Sequence, residues 1–316
     1  MFDRDVPVYL ITGFLESGKT QFLDFTIGQS YFRIPEKTLL IVCEEGEEEY
    51  DQANLKKNNT VMEVIEEPED FNLDTLKMLD KKHKPGRVLI EFNPLWSVDK
   101  LYEMDLPRYW EMAQHIVCVD ASTFQIYMNN MKSLFVEMIR MADMVIFNRC
   151  EEDHPLASFR RSVKVVNSRA DVLFEDEEGE IDDIFQDEMP YDMDAEIIEI
   201  DDIDYGIWYV DMMDNLEDYV DKKVKYRGQV LKSRELNAGF FVPGRMAMTC
   251  CADDTQFIGY ICKSPDAKRL RMGSWVEVTA TIKKEYMEAY GEEGPVLYAE
   301  KITPAEKPEQ ELVYFT

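Results

Sequence analysis

Histidine is nearly missing from this 316-residue chain, occurring only three times. A His-rich transition-metal centre is thereby excluded, and any soft-metal chemistry falls to the six cysteines. Four of these are scattered and two, Cys250 and Cys251, are adjacent, which is no disulfide framework of a secreted domain; reduced thiols are expected. Basic residues are scarce as well: 35 Lys and Arg face 64 Asp and Glu, a formal net charge of −29. Such a surface repels phosphate backbones and anionic lipid, so nucleic-acid partners are not expected, whereas cations and basic proteins fit. No apolar run reaches the roughly 20 residues of a bilayer-spanning helix, and residues 1–5 read as an acidic lead into a strand rather than a leader. No membrane insertion and a cytoplasmic location are expected.

What is present suffices for two cores, since 45% of the residues are hydrophobic. From residue 6 to about 172, short Val- and Ile-rich runs alternate with helical stretches. Strands are predicted at Val6–Thr12, Thr38–Val42, Arg87–Glu91, 115–120, Met144–Asn148 and 164–167, and helices at 19–28, 73–82 and 123–141. Runs with little polar alternation are strands buried on both faces, so the fold class is α/β, a parallel sheet with flanking helices. Residues 175–204 break the composition, with 16 acids and no Lys or Arg, and read as an acidic linker with at most a strand near 196–200. From about 205 onward, five runs with strand periodicity (222–231, 239–250, 256–263, 274–284 and 295–302) predict a small OB-like β-barrel. The expected domains are therefore 1–174 and 205–316, joined by 175–204.

The chemistry is carried by Gly13-Phe14-Leu15-Glu16-Ser17-Gly18-Lys19-Thr20, which fills G-x-x-x-x-G-K-[ST] between an apolar strand and an amphipathic helix. Glycines let the backbone wrap a phosphate, and successive N–H groups from Gly13 to Gln21 face the anion at the helix N-terminus. Lys19 reaches the β and γ phosphates, and the Thr20 hydroxyl ligates Mg²⁺. A second acid for Mg²⁺ is expected at the end of a buried strand, and Glu91 closes such a strand. Lys19 and Glu91 are thus the catalytic candidates. Further on, Asn148-Arg149-Cys150-Glu151 has the residue types of a guanine-reading Asn-Lys-x-Asp loop, with a Glu one methylene longer than the usual Asp. The alternative is an ATP site serving a small-molecule kinase.

With these motifs in place, the chain resembles the family of P-loop GTPases that includes CobW, HypB and UreG, and the CobW branch most. The resemblance runs from Ile11 through the P-loop, then Cys43-Glu44-Glu45-Gly46-Glu47, Ile90-Glu91, Val119-Asp120-Ala121 and Asn148-Arg149. It implies a GTPase that uses GTP and Mg²⁺ to gate delivery of a transition metal, zinc or cobalt. Three departures stand out. Glu16 replaces a customary glycine, the family's Cys-x-Cys-Cys motif is missing after Cys43, and the usual His-rich C-terminal domain is absent. The C-terminal segment resembles instead an uncharacterised domain of small subunits that accompany predicted permeases, through Phe241-Val242-Pro243-Gly244-Arg245, Cys250-Cys251-Ala252-Asp253-Asp254 and Gly273-Ser274-Trp275-Val276.

For a transition metal, one candidate set is Cys250, Cys251 and Asp254, and the other is Cys43 with Glu45. The competing readings are ordinary core cysteines and a solvated acidic loop. Expected partners are nucleotide, a metalloprotein or permease client and, with nucleotide bound, a second copy of the chain. The rival to an enzyme is a non-enzymatic adaptor with a degraded nucleotide site.

Overall fold

A computed structural model describes residues 5–44, 46, 48–181, 189–233, 236–248 and 255–313. The chain divides into two compact units: Met1–Leu156 with Val166–Ile184, and Ala157–Val165 with Phe185–Thr316.

The elements of the first part, in chain order, are β1 (Val6–Thr12), α1 (Lys19–Gly28), β2 (Thr38–Val42), α2 (Gln52–Lys57), β3 (Thr60–Val64), α3 (Leu73–His83) and β4 (Arg87–Glu91). They continue with α4 (Val98–Glu103), β5 (Trp110–Asp120), α5 (Ala121–Asn130), α6 (Lys132–Arg140), β6 (Met144–Asn148), α7 (Leu156–Val166) and β7 (Asp171–Phe174). The seven strands form one sheet in the order β3-β2-β4-β1-β5-β6-β7, every pair parallel. Every residue of β2 and β4 is buried, as continuous apolar runs require. β1 lies between β4 and β5, where the strand order reverses direction, and the loops leaving such strand ends form a ligand crevice.

Three sequence expectations need correction. Residues 164–167 are not a strand. They close α7, and the last strand is β7, because Phe159 and Val163 recur at helical spacing and Asn167 then donates to the carbonyls of Ile139 and Ala142 at 2.8 Å each. The single helix expected over 123–141 is two, α5 and α6. The Asn130 amide bonds back to the Ile126 carbonyl at 2.8 Å, local competition that favours ending a helix there. β3 went unread because it is a half-exposed edge strand, with Met62 and Val64 facing outward.

The second unit holds most of α7 and adds β8 (Ile198–Glu199), α8 (Tyr205–Asp214), α9 (Leu216–Tyr219), β9 (Lys223–Leu231), β10 (Phe240–Met248), β11 (Thr255–Ile258), β12 (Ile261–Lys263), β13 (Trp275–Met287) and β14 (Glu292–Pro304). β9, β10, β12, β14 and β13 close into a five-strand barrel, with β12 and β14 parallel and β9 pairing both β10 and β13. Counting only barrel strands, the order is 1-2-3-5-4-1, that of an OB-fold. Alternate residues of β9 point inward. The core gathers Trp208, Tyr226, Phe241, Cys262, Val278, Ile282 and Leu297. Trp208 belongs to a helix, α8, where only strands were expected, and it is fully buried. The acidic stretch read as a linker is, in its described part beyond 189, built into this unit. Tyr191, Ile198 and Ile200 are buried in its core, and β8 pairs in parallel with β9. Sparse apolar residues do the packing there while the acids stay outside.

Candidate nucleotide site

The loop between β1 and α1 is shaped by three residues at positive φ: Gly13 (147°), Glu16 (62°) and Gly18 (90°). A Cβ on Gly13 would collide with the Cys118 carbonyl and the Ser17 hydroxyl, and one on Gly18 would stand 2.6 Å from Asn148 Nδ2. Both glycines are therefore demanded by space as well as by conformation. Below the loop, His115 on β5 meets Thr12 Oγ1 through Nε2 at 2.9 Å and the Tyr102 hydroxyl through Nδ1 at 3.1 Å. Burial lowers the His115 pKa to about 4, so the ring is a neutral strut under the last residue of β1.

Lys19 is 3% exposed, and its ammonium donates to the carbonyls of Gly13 and Phe14, each at 2.9 Å, and pairs with Glu44 Oε2 at 2.5 Å. The neighbouring Thr20 hydroxyl donates to Glu91 Oε1 at 2.9 Å, and the Tyr50 hydroxyl donates to Glu91 Oε2. Burial raises the Glu91 carboxyl above its ordinary range, and the Tyr50 bond, the Lys19 charge and the Thr20 bond offset part of that rise. An oxygen pair of this kind, hydroxyl and carboxylate, is the hard donor set that Mg²⁺ takes.

The tip of β6 reaches the same loop from the other side. Asn148 Nδ2 donates to the Ser17 carbonyl at 2.8 Å. Arg149 donates to the Glu16 carbonyl at 3.0 Å, to Asp120 Oδ2 and, at 3.5 Å, to Gln21 Oε1. The Asp120 carboxyl pKa is lowered: burial pushes it up, and the bonds from Ser122 and Arg149 outweigh that. Two buried polar atoms here, Ser17 Oγ and Asn148 Oδ1, have no hydrogen-bond partner, which marks them as places for a ligand or water.

Lys19, Thr20, Gln21, Glu91, Arg149 and Glu16 thus line one cleft of about 170 Å³, together with Glu44 and Glu48. Glu151 does not join them: it is exposed, its backbone N–H donates to His154 Nδ1 at 3.0 Å, and it is absent from the cleft wall. Cys43 borders a separate cavity of about 230 Å³ with Glu44, Glu66 and Asn93, and its thiol pKa is raised by burial and then by Glu91 and Glu44. Among the described residues no trio of His, Cys, Asp or Glu stands close enough to hold a metal ion. Glu45, Cys250, Cys251 and Asp254 lie outside the described residues. Sequence reasoning missed Tyr50, Asp120 and the pairing role of Glu44. For Tyr50 the available signal was a lone aromatic at the end of an acidic run, directly before Asp51, which caps α2. No described helix is long and apolar enough to cross a membrane.

Residues 7–174 match the family described as CobW/HypB/UreG, nucleotide-binding domain, and residues 177–315 match the DUF1980 C-terminal domain. Among solved structures, the chain is similar to the Zn(II)-bound YjiA GTPase from E. coli, at 24% identity and a TM-score of 0.42, over 56% of this chain and 59% of that one. It therefore spans less than two thirds of that structure's length. It is also similar to the hydrogenase maturation factor HypB from Archaeoglobus fulgidus, at 18% identity and a TM-score of 0.39, over 55% and 82% of the two chains. A further likeness, at 16% identity and a TM-score of 0.33, is to HypB from Helicobacter pylori in complex with nickel, over 54% of this chain and 79% of that one. No protein of curated function matches the chain.

Proposed function

The chain belongs to the CobW/HypB/UreG family through its nucleotide-binding domain, and on that premise we propose that it is a Mg²⁺-dependent GTP-binding protein and slow GTPase. Its nucleotide state gates the handling of a transition metal, zinc or cobalt, as a metal chaperone or metal-homeostasis factor. The observation that carries the reading is the convergence of Lys19, the Thr20–Glu91 pair and the partnerless Ser17 and Asn148 oxygens on one loop.

In this reading the N–H groups at the start of α1 and the Lys19 ammonium hold the phosphates. Thr20 and Glu91 hold Mg²⁺, which when bound neutralises charge on the phosphate oxygens. Tyr50 keeps Glu91 aimed at Thr20. Asn148 and Arg149 frame the base, and Asp120 fixes the Arg149 guanidinium. Rate acceleration comes from positioning and charge rather than from a protein base, so hydrolysis is slow without a partner. The loop of residues 43–51 is the element that changes with nucleotide state, because it meets the P-loop at Lys19 and Gln21 and the end of β4 at Glu91.

Phosphate release from GTP, measured with and without Mg²⁺ and with Zn²⁺ or Co²⁺ added, tests the reading. Expected is slow, Mg²⁺-dependent turnover of GTP in preference to ATP, altered by one of the two transition metals. Turnover of ATP that depends on a small-molecule acceptor would replace it with a kinase.

A further inference from the structure

Every donor of the Lys19 ammonium has a partner within the protein. Two of its three N–H groups go to the Gly13 and Phe14 carbonyls, and the third faces Glu44 at 2.5 Å. The side chains of the pair are only 3% and 11% exposed, so this is no solvent-screened surface contact, and either partner left alone would be a buried charge. Glu44 thus places a carboxylate, an anion with acceptor oxygens, on the lysine that a phosphate needs.

We propose that Glu44 is a built-in competitor for the phosphate seat, a latch that lowers the affinity of this site for nucleotide until the Glu44 side chain is drawn aside. The inference rests on the reading of this cleft as a nucleotide site. The loop is fastened at neighbouring points. Gln21 Nε2 donates to Glu48 Oε1 at 2.9 Å, the Cys43 N–H donates to the Glu91 carbonyl at 2.8 Å, and Tyr50 is tied to the Glu91 carboxylate. Glu44 directly follows the anchored Cys43, and its carboxylate rests on the Lys19 ammonium. Glu44 also borders the cavity beside Cys43 and Asn93, which gives the displaced side chain a place to go. An incoming phosphate takes the third donor of Lys19, and the freed carboxylate carries the change into the loop.

A latched fraction of nine-tenths or more divides the apparent affinity by about ten or more, since only the open fraction binds. Titration of the full chain with MgGTP and MgGDP, for the wild type, Glu44→Gln, Glu44→Ala and Lys19→Ala, tests this. Both Glu44 variants are expected to bind at least about tenfold more tightly than the wild type, with a larger ligand-induced rise in melting temperature, while Lys19→Ala binds neither nucleotide. Equal or weaker binding by folded Glu44 variants overturns the latch and leaves the nucleotide site standing. Binding by the Glu44 variants alone supports the latch in its strongest form. Absence of binding in all four proteins removes both the latch and the reading it rests on.

Discussion

Replacing Tyr50 by Phe deletes one hydroxyl whose contact is the carboxylate of Glu91. The ring stays, and with it the packing against Val42, Leu55 and Leu89, so the variant isolates the hydrogen bond. Tyr50 is 8% exposed and Glu91 3%, so water does not replace the lost donor. A buried hydrogen bond to a charged group contributes about 1.5–3 kcal/mol, and unfolding midpoints of units of 150–250 residues fall by roughly 2–4 °C per kcal/mol. Tyr50→Phe should therefore lower the melting temperature of the nucleotide-binding unit by about 3–12 °C at pH 8. The pH dependence gives a sharper check. Burial raises the Glu91 carboxyl above its unfolded value, so its contribution to stability is full below the unfolded value and is lost as pH rises through the folded one. Removing the Tyr50 donor raises the folded value further. The deficit of Tyr50→Phe should thus be largest at pH 8 and shrink as pH falls and Glu91 takes up a proton. Calorimetric melts of both proteins across that range decide the matter. A deficit that is absent, or the same at every pH, would refute the assignment of Tyr50 as the donor that supports an ionised Glu91.

Gly18→Ala should abolish nucleotide binding in a calorimetric titration and destabilise the fold by about 1–3 kcal/mol in urea, because a Cβ there meets Asn148 at 2.6 Å with φ at 90°. Asn148→Ala, which frees the Ser17 carbonyl, should weaken GTP binding far more than Arg149→Ala affects stability. The latter pair is partly solvated, so its loss changes the urea midpoint by under about 1 kcal/mol. His115 is depressed to about 4 from an ordinary 6.5, so the stability its neutral ring contributes is present above 6.5 and is lost as pH falls toward 4. That loss is about 3 kcal/mol, and a stability profile of His115→Gln over the same range should lack it. In the second unit, Arg245 is fully buried and pairs with Asp202 at 3.1 Å, so Arg245→Ala should cost about 3–5 kcal/mol in that unit's unfolding transition.

The parts of the fold legible in sequence were those where one requirement dominates. β2 and β4 are buried on both faces and so read as unbroken apolar runs, and β9 and most of β13 alternate cleanly. Legibility failed where two periods compete. Val163, Val165 and Val166 favour a strand by type, yet the spacing from Phe159 to Val163 and the Asn167 side chain make them the end of a helix. Tyr205, Trp208 and Val210 likewise favour a strand by residue type, but pack as the buried face of α8. At the site, Gly13, Gly18, Lys19 and Thr20 announce themselves because a phosphate loop fixes both residue type and spacing. Tyr50, Glu44 and Asp120 do not, because their roles arise from partners that lie far along the chain, at Glu91, Lys19 and Arg149. No local pattern encodes such pairings.

The most direct test of the account is isothermal titration of GTP, GDP and ATP in Mg²⁺, with and without Zn²⁺, into the wild type and Lys19→Ala. Guanine-selective binding that requires Lys19 and shifts with Zn²⁺ is expected. Failure of all three nucleotides to bind the wild type and the latch-free Glu44→Gln alike would contradict it, and the β-barrel unit would then be where function resides.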